Sequence, residues 1–126
     1  MMSAADLAVE LHSALTAGES KGLLLRLVRQ FVMDTESAAD IGPLIIATPP
    51  LTGDARWDAL LAGVVEDIAL RRGAAVPAWT ATDQRRLEQW WFVTDFPALH
   101  PTAFVETPAA LANRGVFLRR ASLVNI

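Results

Sequence analysis

Asp54-Ala55-Arg56-Trp57-Asp58-Ala59-Leu60-Leu61-Ala62-Gly63-Val64-Val65-Glu66-Asp67-Ile68-Ala69-Leu70-Arg71-Arg72 decides the fold class. Trp57, Leu60, Leu61, Val64, Val65, Ile68 and Ala69 recur at i, i+3, i+4 and i+7, the period of one helical face. Asp54 is a good N-cap, because a short carboxylate can accept from an unpaired N–H of the first turn. Arg71 and Arg72 suit the negative end of the helix dipole, and Gly73 offers a stop. Asp58, Glu66 and Asp67 fall off the stripe, and Asp58 reads as solvated charge favoured in the first turn by the dipole. Burying the seven stripe side chains would contribute roughly 10–15 kcal/mol before entropy costs. This helix is therefore expected at the centre of the core.

Two further helices precede it. Ser3 stands three residues before Asp6, a capping-box spacing, and Leu7, Leu11, Ala14 and Leu15 share a face, so residues 3–17 read as a helix stopped by Gly18. Residues 20–34 carry the stripe Leu24, Leu27, Val28, Phe31 and Val32, with Arg26, Arg29 and Gln30 pointing away. So short a link predicts an antiparallel hairpin with facing apolar stripes. Residues 35–53, punctuated by Gly42, Pro43, Pro49, Pro50 and Gly53, read as an ordered connection with room for a short helix within 38–47.

After Gly73 the signals shorten. Thr80 or Thr82 would cap a helix over 83–92 that carries Leu87, Trp90 and Trp91. A proline-rich crossing runs from Pro97 to Pro108. Thr107 is placed to cap one more helix with Pro108 at its first position, and Gly115 ends that turn. Val116-Phe117-Leu118 reads as a brief extended piece. The expected fold is all-α: a single compact helical domain over 1–126, with a helical hairpin on a long central helix and short C-terminal helices.

The composition narrows the function. The chain has 126 residues, 52% of them hydrophobic, and a net charge of −3. That length suits one domain with a core of its own. Zero cysteines exclude disulfides, thiolate metal sites and cysteine nucleophiles. The mild acidity gives no reason to expect nucleic acid or anionic lipid as the main partner. Met1 to Asp6 has no basic run before an apolar one, and no apolar stretch nears the ~20 residues that cross a bilayer. A cytoplasmic protein is the expectation. Arginine outnumbers lysine ten to one, with Lys21 alone, which together with abundant alanine suggests a GC-rich bacterial genome.

No catalytic constellation emerges. His12 reads as a surface or boundary residue, and His100, in Leu99-His100-Pro101, as a loop residue. Carboxylate pairs occur at Asp54/Asp58 and Glu66/Asp67, and the first reads as a cap and solvated charge rather than metal ligands. No EF-hand, HExxH or Walker pattern is present. Ala14, Gly18 and Leu24 match helix-turn-helix positions, but a recognition helix at 20–30 would be too apolar to read base edges. The expectation is no enzyme, no cofactor and no metal.

Two features point to a partner. Trp90 and Trp91 cannot both be covered easily, so one of them, with Phe92 or Phe96, is expected in an exposed apolar patch of the kind that marks an interface. The tail after Glu106 has no acid and carries Arg114, Arg119 and Arg120, suited either to an acidic partner or to the domain's own acids. Self-association into a homodimer is left open, as is a ligand pocket lined by Trp57, Trp90 and Phe104.

Three stretches carry a resemblance. Pro50-Leu51-Thr52-Gly53-Asp54-Ala55-Arg56-Trp57-Asp58-Ala59-Leu60-Leu61-Ala62-Gly63, Val76-Pro77-Ala78-Trp79-Thr80 and Thr107-Pro108-Ala109-Ala110-Leu111-Ala112-Asn113-Arg114-Gly115-Val116-Phe117-Leu118 are similar to segments of actinobacterial Xre-type regulators, antitoxins of toxin–antitoxin systems. In that family a helical domain follows a helix-turn-helix and often acts beside a nucleotidyltransferase-like toxin. The resemblance implies a non-enzymatic antitoxin-like domain that binds a cognate toxin. The chain is expected to lack the helix-turn-helix module, which leaves a DNA-associated regulator, acting through 13–30 or the arginine tail, as the alternative. Trp91-Phe92-Val93 departs from the family's Trp-Phe-Pro.

Overall fold

Ser3 starts the first helix by reciprocal hydrogen bonds: its hydroxyl accepts from Asp6 N–H, and the Asp6 carboxylate accepts from Ser3 N–H, both at 3.0 Å. A computed structural model describes residues 1–124, so the last two positions of the expected 1–126 domain lie outside the described residues. Helix α1 spans Ala4–Thr16, and its buried face is Leu7, Ala8, Leu11 and Ala14. Helix α2, Lys21–Ser37, is capped by Ser20 and buries Leu24, Val28, Phe31 and Val32. It runs one turn further than its stripe suggested. Thr35, near its end, is buried because its hydroxyl donates to Val32 O within the helix. Between α2 and the central helix lies one short helix, α3, Gly42–Ile45, with Pro43 in its first turn.

The long central helix, α4, spans Ala55–Arg72 and starts with Asp54 accepting from Arg56 N–H. It ends at Gly73, whose φ of 64° is the left-handed conformation a glycine adopts without strain. Twelve of its eighteen residues are buried, including Ala59, Ala62 and Gly63 behind the apolar stripe. A helix covered so nearly all round belongs in an interior, not on a surface. Asp58 and Asp67 are among the buried residues, which corrects the reading of Asp58 as solvated charge. Helices α1 and α2 contact each other, and both contact α4.

The helix expected over 83–92 does not form. Instead, 3-10 turns occupy Ala78–Ala81 and Asp83–Arg85, and Trp91–Phe92 is a strand, β1. It pairs in parallel with β2, Val116–Phe117, matching Trp91 to Val116 and Phe92 to Phe117. Leu87 N–H donates to Arg114 O, Trp91 N–H to Gly115 O and Val93 N–H to Phe117 O. Those partners carry the backbone of 87–93 outward from any helical path. The domain is thus mostly helical with a small open sheet, a correction to the all-α expectation.

Helix α5, His100–Glu106, and helix α6, Ala109–Ala112, fill the crossing between the strands. Thr107 does not cap α6. Its hydroxyl donates to Ala103 O and accepts from Leu118 N–H, so it ties the end of α5 to the exit of β2. Gly63 lets α6 approach α4 closely: a Cβ there would lie 2.5 Å from Leu111 Cδ2 and 3.1 Å from Leu111 Cα.

Gly63→Ala should therefore destabilise the domain by about 1–3 kcal/mol, overpacking outweighing alanine's better helix propensity. Gly22→Ala, on an open part of α2, should be neutral or stabilising by up to about 1 kcal/mol. Urea unfolding of both variants checks the contrast, and equal effects would refute the close approach. A second outcome concerns acid. Hydrogen bonds from Ser3, first from its backbone and then from its side chain, hold the Asp6 carboxyl below its ordinary value of 3.8. Its contribution is therefore complete above the unfolded value and disappears as pH falls through the lower folded value. The stability gap between wild type and Asp6→Asn should be constant near neutrality and close below about pH 4.

Candidate functional site, an exposed aromatic face

Strand geometry sends consecutive side chains to opposite sides of the sheet, and this separates the two neighbouring tryptophans. Trp91 turns inward, 8% exposed, and meets Trp57 edge-to-face at 5.3 Å between ring centroids. The Arg56 guanidinium lies 5.0 Å from the Trp91 ring. Trp90 turns outward and is 64% exposed. It packs against Phe117 at 5.0 Å and Phe104 at 5.6 Å.

Phe117 is the hub of the outer face. Phe104 stacks on it at 5.3 Å and Phe92 at 4.9 Å, and His100 stacks on Phe92 at 4.3 Å with an interplanar angle of 11°. His100 is the first residue of α5 rather than part of a loop, and its Nε2 donates to Thr94 O at 3.1 Å. That bond fixes the ring over Phe92. The stack is thus held by buried Phe117 from beneath, while Trp90 and Phe104 present their outer surfaces to water.

The apolar surface continues past Phe117. A groove of about 360 Å³ runs between the start of α2 and the exit of β1, lined by Lys21, Leu25, Val93, Phe96, Leu118 and Ser122. Phe96 is 69% exposed. A smaller cleft of about 110 Å³, under Leu99 and Ala103, shares Leu118 with this groove and reaches Phe117. Lys21 closes one side, donating to Val93 O at 2.7 Å and to Asp95 at 2.6 Å. Val105, on the same short helix as Phe104, is also strongly exposed. The sequence offers either Trp90 or Trp91, with Phe92 or Phe96, for such a patch. Trp90 and Phe96 are exposed and Trp91 is buried, which corrects its place among the partner-binding candidates. Phe104, Leu99 and Val105 carry no sequence signal for this face, because α5 is too short for periodicity to assign one.

The arginines go elsewhere. Arg114 is buried, with Nη2 on Glu66 at 2.8 Å and on Thr80 O at 2.6 Å, and Nη1 on Ala110 O at 2.8 Å. Arg119 pairs with Glu106 at 2.8 Å, and Arg120 grips both Asp67 oxygens at 3.0 and 3.1 Å. The tail's charge is thus spent on the domain's own carboxylates. Trp57, Trp90 and Phe104 do not share a pocket, since Trp57 lies on the inner side of β1 with Trp91 and the other two on the outer side. His12 Nδ1 donates to Thr52 O at 2.8 Å and ties α1 to the loop before α4. Leu24 and Val28 are in the core, so the buried side of the would-be recognition helix 20–30 faces its own domain.

Among the described residues no three His, Asp or Glu side chains are placed to hold a metal ion, and no helix is long and apolar enough to cross a membrane. Acrylamide quenching tests the exposure. Trp57, Trp79 and Trp91 are buried, so Trp90→Phe should remove most of the quencher-accessible emission and leave a blue-shifted remainder. Unchanged quenching would mean that the outward placement of Trp90 is wrong. No family model, no curated protein and no solved structure matches this chain.

Proposed function

We propose that this chain is a non-enzymatic protein-interaction domain that binds a partner through the aromatic face, in the manner of an antitoxin engaging its cognate toxin. The observation that carries the reading is the exposure of Trp90, Phe96 and Phe104 around a rigid stack on Phe117. Aromatic side chains lose little conformational freedom on docking and are enriched among residues that dominate interfaces. The resemblance of the 50–63, 76–80 and 107–118 stretches to Xre-type regulators supports the antitoxin part.

Magnitudes favour a face over a single anchor. A tryptophan buries roughly 150–250 Å² when covered. Covering the exposed part of Trp90 would contribute on the order of 3 kcal/mol at about 25 cal/mol/Å². Association costs about 4–15 kcal/mol in lost freedom, so Trp90 alone cannot hold a partner. Trp90, Phe96 and Phe104 together can offset it. The scaffold we propose beneath them is a hairpin of α1 and α2 packed on α4, with the strand pair and α5 carrying the face.

The test is co-expression with the product of each adjacent gene in the native host, a nucleotidyltransferase-like protein above all. A stoichiometric complex should elute from size exclusion, and the toxin's effect on growth should be neutralised. Trp90→Ser with Phe104→Ser should dissociate the complex by at least about a hundredfold while leaving the circular dichroism spectrum intact. Absence of any complex, together with a mobility shift on the gene's own upstream DNA, would replace this reading by the DNA-associated one.

A further inference from the structure

On a different side of the domain, the 3-10 turns after α4 and the residues following α6 enclose a cavity of about 170 Å³ lined by Glu66, Thr80, Arg85, Arg86, Asn113 and Arg114. Its size rejects organic ligands of ordinary dimensions, which fill roughly 300–1,000 Å³. It is large enough for several waters or for one small ion.

Its charge then selects the sign. Three guanidiniums line it beside one carboxylate, Glu66, which is already held by Arg114 at 2.8 Å. The buried Asp58 offsets part of the charge of Arg85, so Arg86 is the guanidinium left without a carboxylate. In a chain with a net charge of −3, this is a local excess of positive charge. Arg85 and Arg114 are 3% and 6% exposed, so two of the guanidiniums are fixed by the surrounding structure. Arg85 Nη2 donates to Pro49 O at 2.7 Å, and its guanidinium lies 4.9 Å from the Trp79 ring. Its Nη1 is the one buried side-chain nitrogen or oxygen with no hydrogen-bond partner among the described residues. Arg86 and Asn113 are exposed and supply further N–H donors at the rim. The Thr80 hydroxyl donates to Pro77 O and is left only as an acceptor, so guanidinium and amide groups provide the donors.

We propose that this cavity binds a phosphate-class oxyanion, either the free ion or the phosphate of a small monoester. Several N–H groups on planar, permanently charged forks, gathered around a small enclosed volume, match the several acceptor oxygens of a tetrahedral anion. Arg114 and Arg85, tied down by Glu66, Thr80 O, Ala110 O and Pro49 O, fix positive charge in the floor. The exposed Arg86 and Asn113 supply the free donors that close on the ion from the rim.

The experiment follows backbone amide resonances of the ¹⁵N-labelled chain during titration with inorganic phosphate, and separately with glycerol phosphate, at ionic strength held constant with chloride. Amides of 80–86 and 113–115 should move saturably. Movement with inorganic phosphate assigns the free ion, and movement with the ester alone assigns an esterified phosphate. Arg86→Gln and Asn113→Asp, both at exposed positions, should each weaken binding at least about tenfold with a native-like spectrum. Arg26→Gln, at another exposed arginine beside a surface cavity, should not. No saturable movement with either compound, or the same affinity in the wild type, Arg86→Gln and Asn113→Asp, would overturn the proposal. Neither result depends on the aromatic face, which contributes none of these residues.

Discussion

Helix α4 carries Asp58, Glu66 and Asp67 on a surface that the rest of the chain covers, and a charge removed from water has to be met by a donor from another segment. Asp58 accepts Thr52 N–H at 2.7 Å and so pins the loop that leads into the helix. Glu66 receives Arg114, which also holds Thr80 O and Ala110 O. Asp67 receives Arg71 from its own helix and Arg120 from the end of the chain. Each acid therefore organises a different piece of irregular backbone around the same cylinder. Removing one partner of the largely buried Arg114–Glu66 pair would cost about 3–5 kcal/mol, whereas the half-exposed Arg71 and Arg120 contribute less to Asp67. Arg72 extends the pattern by donating to Ala38 O and to Thr35 O, which also accepts the Ala38 N–H at the C-terminal end of α2.

How much of this could be read beforehand depends on whether a signal is local. The capping box at Ser3 and Asp6, the stripe of α4 and the stop at Gly73 are all encoded within one or two turns, and the helices there match their sequence signals. The 83–92 segment is different. Its Leu87, Trp90 and Trp91 fit a helical spacing, yet Trp91 and Val93 are buried while Trp90 is not, a two-residue alternation. That period becomes decisive only once residues 115–117 offer carbonyls for pairing, and they lie more than twenty positions away. Asp58 reads as solvated from sequence because no local pattern reveals that the Thr52 N–H, six residues before it, will take its carboxylate as acceptor.

The surface separates into two chemistries that share little. The aromatic face is built on a strand pair and a short helix, and its members are ordered by one another. The arginine-lined cavity is built on the tight turns flanking α4, and its members are ordered by carbonyls. Arg85 shows why the second was invisible in sequence. The Arg85-Arg86 pair after Asp83 and Gln84 carries no pattern, and the meaning of Arg85 comes from Pro49, Trp79 and Asp58, which reach it from other parts of the chain. Burial pushes its pKa below the ordinary value, and the charge of Asp58 opposes that only in part.

The parallel pairing of Trp91–Phe92 with Val116–Phe117 has one more effect. Parallel neighbours cannot be joined by a tight hairpin, so the intervening loop must close entropically before any of its contacts form. The residues that finish the interior, Val116, Leu118 and Leu123, belong to the later partner and its extension. During synthesis the apolar flank of α4 consequently emerges from the ribosome well before the segment that shields it. The nascent domain passes through an interval in which α4 is complete but only α1 and α2 can cover it, and chaperones have a defined window in which to act on the remaining flank.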